Sequence, residues 1–117
     1  MCRLKELIRD VPDFPKKGIV FRDITPLFQD PKGLRDTIEK LSGHYKDKKI
    51  DIVVGAEARG FLLAPTVAFN LGAGFVPVRK PGKLPYHKIS MSYALEYGTD
   101  TLEMHKDSIK KGQQVLL

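Results

Sequence analysis

Ile52, Val53 and Val54 form an unbroken apolar run, the signature of a strand covered on both faces. The run opens into Val53-Val-Gly-Ala-Glu-Ala-Arg-Gly-Phe61, and a helical stretch, Leu62 to Leu71, follows at once. Gly72 and Gly74 close that helix, and a second strand, Phe75 to Val78, begins. Strand, helix and strand joined by short returns make a βαβ unit. Parallel strands need such a crossover and are found with helices on their faces. The pattern therefore predicts an α/β fold: a parallel sheet with flanking helices.

Loops that leave the carboxyl ends of parallel strands gather at the edge where α/β proteins bind ligands. The first such loop carries Arg59 near a helix start, where free backbone N–H groups already favour an anion. The second runs Phe75-Val-Pro-Val-Arg-Lys-Pro-Gly-Lys-Leu-Pro85 and adds Arg79, Lys80 and Lys83 around Gly82. If the strands are neighbours, four cations converge on one edge, a site for a polyphosphate. Glu57 in the first loop either lines that site or pairs with a nearby cation. The formal charge of +6 also favours an anionic partner, without separating nucleic acid, a membrane surface and a phosphorylated metabolite. Lys46-Asp-Lys-Lys49 reads as a solvated helix end. His44, His87 and His105 lie far apart without ligand spacing, so no protein-built metal site is expected. The single Cys2 excludes an intrachain disulfide. No apolar stretch approaches the roughly 20 residues of a membrane span, and no signal-peptide core opens the chain. A cytoplasmic protein is expected.

Leu4, Leu7, Ile8 and Val11 have helical spacing and predict a short amphipathic helix. Pro12, Pro15 and Gly18 then impose a loop, and Ile19 to Arg22 reads as a strand. Thr25-Pro26 and Asp30-Pro31 each read as an N-cap followed by proline at the first helical position. Leu34, Ile38, Leu41 and Tyr45 stripe a helix running to about Lys46, and the first core strand should span Ile50 to Gly55. The helix after it is apolar nearly all round, through Phe61, Leu62, Leu63, Val67, Phe69 and Leu71, which implies deep burial; Pro65 blurs its start. From Lys88 the period becomes two. Ile89, Met91, Tyr93, Leu95 and Tyr97 alternate with polar or small residues, Gly98 and Thr99 turn the chain, and Leu102 and Met104 alternate on the return. This predicts a half-buried antiparallel hairpin over 88–106 with Met91 and Met104 in its core. Gln114-Val-Leu-Leu117 opens a third core strand, so the native chain is expected to continue.

Four stretches, in order, carry a family resemblance. They are Asp13-Phe-Pro-Lys-Lys-Gly-Ile-Val-Phe-Arg-Asp-Ile-Thr-Pro26, Gly55-Ala-Glu-Ala-Arg-Gly-Phe61, Arg79-Lys-Pro-Gly-Lys-Leu-Pro85 and Ser92-Tyr-Ala-Leu-Glu-Tyr-Gly98. Together they resemble the adenine phosphoribosyltransferases, type I phosphoribosyltransferases of purine salvage. The resemblance implies one incomplete domain over 1–117: a small N-terminal hood (1–30) and part of the α/β core (31–117). The family's ribose-phosphate signature, two acids and a small-residue loop, should begin near Val115 and is not present. The implied reaction joins adenine and phosphoribosyl pyrophosphate into AMP and pyrophosphate, with Mg²⁺ held mainly through the substrate. The implied catalytic residues are Glu96, as the base for the N9 proton, and Arg59. Val20, Phe21 and Arg22 would hold adenine, and Glu57, Ala58, Arg79, Lys80, Lys83 and Tyr97 would complete the substrate site. Phe14, Phe21 and Phe28 otherwise read as core. A homodimer is implied, with no nucleic-acid or membrane partner. Two alternatives remain: a related transferase for another purine such as xanthine, and a nucleotide-sensing regulator on the same fold.

Overall fold

A computed structural model describes residues 2–95 and 98–117. The chain divides into two compact units, Met1–Leu41 and Ser42–Leu117.

In the first unit, helix α1 covers only Cys2–Glu6, and strand β1 (Arg9–Pro12) follows. The expected helix through Val11 is therefore wrong in its second half. Val11 instead faces Phe21 in an antiparallel ladder with β2 (Val20–Asp23), flanked by the opposite-charge pairs Arg9↔Asp23 and Asp10↔Arg22. These cross-strand pairs override a helical spacing too short to nucleate alone. The loop between the strands is closed by Gly18 N–H on Asp13 Oδ1 at 2.8 Å and by Phe14 N–H on the Ile19 carbonyl at 3.0 Å. Helix α2 (Thr25–Gln29) begins at Thr25 itself, so Thr25 is not its cap. Asp23 Oδ1 accepts the Thr25 N–H at 2.9 Å from two residues upstream. The second cap stands as expected. Asp30 accepts the Gly33 N–H at 2.7 Å and Pro31 opens α3 (Pro31–Gly43). The stripe on α3 is only partly buried: Ile38 is inside, whereas Leu34 and Leu41 are exposed, and Tyr45 lies past the helix end.

In the second unit, β3 (Ile52–Ala56), β4 (Gly74–Val78) and β7 (Val115–Leu116) form a parallel sheet in the order β4-β3-β7. Helix α4 (Gly60–Leu71) makes the crossover from β3 to β4. It begins before Pro65, which sits in its second turn. Ala64 and Ala68 pack with Val53, and Ile50, Leu71, Ala73, Phe75 and Leu116 surround them. The close crossing depends on Gly55, where an added Cβ would stand 2.6 Å from the Ala64 Cβ. Gly72 ends the helix at φ 70°, a left-handed C-cap whose N–H reaches the Ala68 and Phe69 carbonyls. The expected deep burial of α4 fails. Leu62 is 52% exposed and Phe69 88%, because only the face toward β3 and β4 is packed.

Strands β5 (Lys88–Leu95) and β6 (Gly98–His105) form the expected hairpin as a separate two-stranded sheet. Gly98 and Thr99, expected to turn the chain, instead pair with Leu95 and Ala94 as part of the ladder. The hairpin is not half-buried along β5, all of whose residues are exposed. Met91, expected in its core, is 74% exposed. Strand β6 is better covered because Arg79, just past β4, bridges to Glu103.

Candidate functional site

The register Ala56↔Val78 ends β3 and β4 side by side, so the loops carrying Arg59 and Arg79 leave from adjacent points. The Glu57 N–H extends the ladder to the Val78 carbonyl at 3.0 Å. Ala58, joined to Glu57 by a cis peptide, accepts the Phe61 N–H at 3.1 Å in the first turn of α4. Arg59 occupies the N-cap position of that helix, as its sequence position implies.

The Glu57 carboxylate binds the two loops together. Its Oε1 accepts the Lys80 N–H at 2.9 Å and Arg79 Nε at 3.0 Å. The Lys80 backbone donor, with Arg79 and the nearby Lys83 charge, holds this carboxyl below its ordinary range. The Arg79 guanidinium also lies 5.6 Å from the centre of the Phe61 ring. Beyond it the loop turns at Gly82, φ 81°, where the Lys83 N–H meets the Lys80 carbonyl at 3.3 Å. The Gly82 N–H donates to Glu103 Oε1 at 3.0 Å, and Arg79 and Glu103 exchange backbone hydrogen bonds of 2.9 and 2.8 Å. The Lys80 ammonium pairs with the Asp100 carboxylate on β6, which also accepts the Tyr93 hydroxyl at 3.2 Å and the Thr101 N–H at 2.8 Å. Asp100 is held below its ordinary range, first by the Lys80 contact, and Lys80 is raised by the same contact.

The structure thus brings Glu57, Ala58, Arg79 and Lys80 together, with Arg59 and Lys83 on the same two loops. Arg79 and Lys80 do not stand as bare cations, because Glu57 and Asp100 neutralise them. Of the two readings of Glu57, pairing with a cation is observed. Val20, Phe21 and Arg22 lie on β2 in the first unit. There the Phe21 ring meets Phe14 edge-on at 5.3 Å and Arg22 pairs with Asp10. Glu96 and Tyr97 lie outside the described residues. Sequence reading missed Asp100, Glu103 and the place of Phe61 beneath Arg79. Only the strand register puts these beside the basic loop, and no spacing rule reports it. Among the described residues no cluster of three or more His, Cys, Asp or Glu side chains could hold a metal ion. Among them no helix is long and apolar enough to cross a membrane.

No family model matches the chain. It is 61% identical over 117 residues to adenine phosphoribosyltransferase of Solibacter usitatus, covering all of this chain and 68% of that protein. Its fold matches the crystal structure of adenine phosphoribosyltransferase from Thermoanaerobacter pseudethanolicus with a TM-score of 0.91 and 53% identity, over 97% of this chain and 66% of that one. It matches the Saccharomyces cerevisiae adenine phosphoribosyltransferase, complexed with an imino-altritol bisphosphate and adenine, with a TM-score of 0.92 and 42% identity, over 97% and 67% of the two chains. The chain therefore spans about two-thirds of the length of these relatives.

Proposed function

The chain belongs to the adenine phosphoribosyltransferase family, and from that premise we propose that it serves to make AMP and pyrophosphate from adenine and phosphoribosyl pyrophosphate. The observation that carries the reading is the Ala56↔Val78 register, which sets the Arg59 and Arg79 loops side by side. As the C1′–O bond breaks through an oxocarbenium-like state, negative charge grows on the departing pyrophosphate. Cations and helix N–H groups fixed at that point lower the barrier, because they need no rearrangement as the charge develops. Arg59, Arg79 and Lys83 take this role, with Lys80 beside them. The Glu57 carboxylate already holds Arg79 and the Lys80 N–H, so the oxygen ligands that Mg²⁺ prefers would come mainly from the substrate. Held through phosphoribosyl pyrophosphate, Mg²⁺ would neutralise part of the diphosphate charge.

Adenine is assigned to the hood over residues 1–30. Strand β2 pairs only with β1 among the described residues, so its outer edge keeps backbone N–H and C=O groups that the ladder does not use. Those around Val20 and Arg22 read the base, Phe21 closes the pocket, and Glu96 near Tyr97 takes the N9 proton. The yeast relative's complex with adenine supports this base. Adenine offers an N6 donor and an N1 acceptor, whereas 6-oxopurines offer the reverse. Each buried mismatch costs roughly 1–3 kcal/mol, so two of them predict discrimination of about 10²-fold or more. The test is a phosphoribosyl pyrophosphate-dependent assay with Mg²⁺ on the product of the whole reading frame. Adenine should be converted far faster than hypoxanthine, guanine or xanthine. Comparable kcat/KM for adenine and hypoxanthine would reject the adenine assignment and leave the fold standing.

On the family precedent, the enzyme works as a homodimer in the cytoplasm. Sedimentation showing only monomer at micromolar concentration would contradict the dimer.

A further inference from the structure

Several donors of the loop after β4 are already met by carboxylates. Lys80 N–H is on Glu57, Gly82 N–H is on Glu103, and the Lys80 ammonium is on Asp100. Glu57 and Glu103 have their own structural work. The first bridges two strand ends, and the second sits on the residue whose backbone pairs with Arg79. Asp100 differs. It stands opposite Tyr93 in the hairpin, and of its contacts to the basic loop, the one to Lys80 is its side chain's alone. Both partners keep solvent access, with Lys80 45% and Asp100 27% exposed, so the pair can be exchanged for another anion without opening a core.

We propose that Asp100 is an internal counter-ion of the substrate site, occupying Lys80 when the site is free and yielding it to the diphosphate of the substrate. This rests on the polyphosphate reading of the two loops. Asp100 is then a positioning residue that acts through Lys80. Each diphosphate that binds must displace the carboxylate, so Asp100 lowers affinity. It also speeds the return of Lys80 when pyrophosphate leaves. The displaced carboxylate is not left bare, because the Tyr93 hydroxyl and the Thr101 N–H remain on it. The hairpin register therefore survives the exchange.

Titration calorimetry with Mg²⁺-free pyrophosphate at low salt tests this on the product of the whole reading frame. Asp100→Asn keeps the size and, through its one carbonyl oxygen, the bond accepted from the Thr101 N–H, while its amide NH2 donates to the Tyr93 hydroxyl oxygen in place of accepting from it, and it removes the charge. It should bind pyrophosphate about fivefold more tightly, the scale of one exposed ion pair. The KM for phosphoribosyl pyrophosphate should fall by a similar factor, more than kcat changes. Lys80→Gln should weaken binding, and Lys80→Gln with Asp100→Asn should match Lys80→Gln alone. Tyr93→Phe, which removes a competing donor from the same Asp100 oxygen, should shift binding the other way and carries the test if Asp100→Asn does not fold. Unchanged or weaker binding by an Asp100→Asn protein with a normal melting curve would overturn the proposal. Wild-type protein that fails to bind pyrophosphate at millimolar concentration would overturn the polyphosphate reading itself.

Discussion

Glu57 shows how one side chain settles the geometry of the basic edge. A carboxylate that accepts both Arg79 Nε and the Lys80 N–H fixes where the second loop starts relative to the first. Arg59, at the start of α4, sits where a helix dipole disfavours a cation, and an anionic ligand there reverses the sign. Arg59→Ala in the complete enzyme should cut kcat by about 10²-fold or more, as for one lost preorganised donor. An unchanged kcat/KM in steady-state assays removes Arg59 from the site. The carboxylates also set a pH signature. Glu57 and Asp100 have folded-state pKa values below their ordinary ones, so their stabilisation is fully present above the ordinary carboxylate range. It is lost as pH falls through the depressed values. Lys80 is shifted upward, so its share is present below the ordinary lysine value and lost only as pH rises beyond it. Denaturant midpoints should therefore stay flat through neutral pH and drop in acid. Glu57→Gln with Asp100→Asn should flatten the acid limb, and an identical acid limb in that double variant contradicts the assignment.

At the scale of elements, the βαβ unit and the β7 strand were legible because short apolar runs bounded by glycines leave few alternatives. The Asp30-Pro31 cap was legible for the same local reason. What escaped were features decided by partners far along the chain. Val11 became a strand residue because Phe21 lies opposite, and Gly98 and Thr99 became strand residues because Leu95 and Ala94 lie opposite them. The burial of α4 was overread. Apolar composition reports what a helix can bury, whereas the neighbours present decide what it does bury, and Phe69 has none over most of its ring. In the candidate site, spacing put Arg59 on one loop and Arg79, Lys80 and Lys83 on another, and the register sets those two loops side by side. The acids that neutralise two of them lie across a strand register, which composition cannot report. Gly55 is the element-scale test. An alanine there meets the Ala64 Cβ at 2.6 Å and the Gly60 carbonyl at 3.0 Å, so α4 must lift from β3. Gly55→Ala should destabilise by about 1–3 kcal/mol, the usual cost of overpacking, read as a lower denaturant midpoint. No shift in the midpoint would show that α4 does not pack against β3 this closely.

At the scale of the whole molecule, apolar side chains remain exposed in pairs on several elements. Leu34 and Leu41 lie on α3, Leu62 and Phe69 on α4, and Ile89 and Met91 on β5, all more than a third exposed. Single exposed apolar residues are ordinary, but pairs one or two turns apart on a helix, or two apart on a strand, form stripes. The chain spans about two-thirds of the length of its relatives, and within these 117 residues these side chains stay open to solvent. Expressed as 117 residues, the chain should bind a hydrophobic dye and self-associate between micromolar and millimolar concentrations. The net charge of +6 opposes this at low ionic strength, so added salt should promote association by screening that repulsion. Phe69→Glu should reduce both dye binding and association, since it removes the most exposed ring from α4. Sedimentation velocity with and without salt reads the outcome directly. A 117-residue chain that stays monomeric and leaves the dye dark would mean that these stripes are closed within the chain itself.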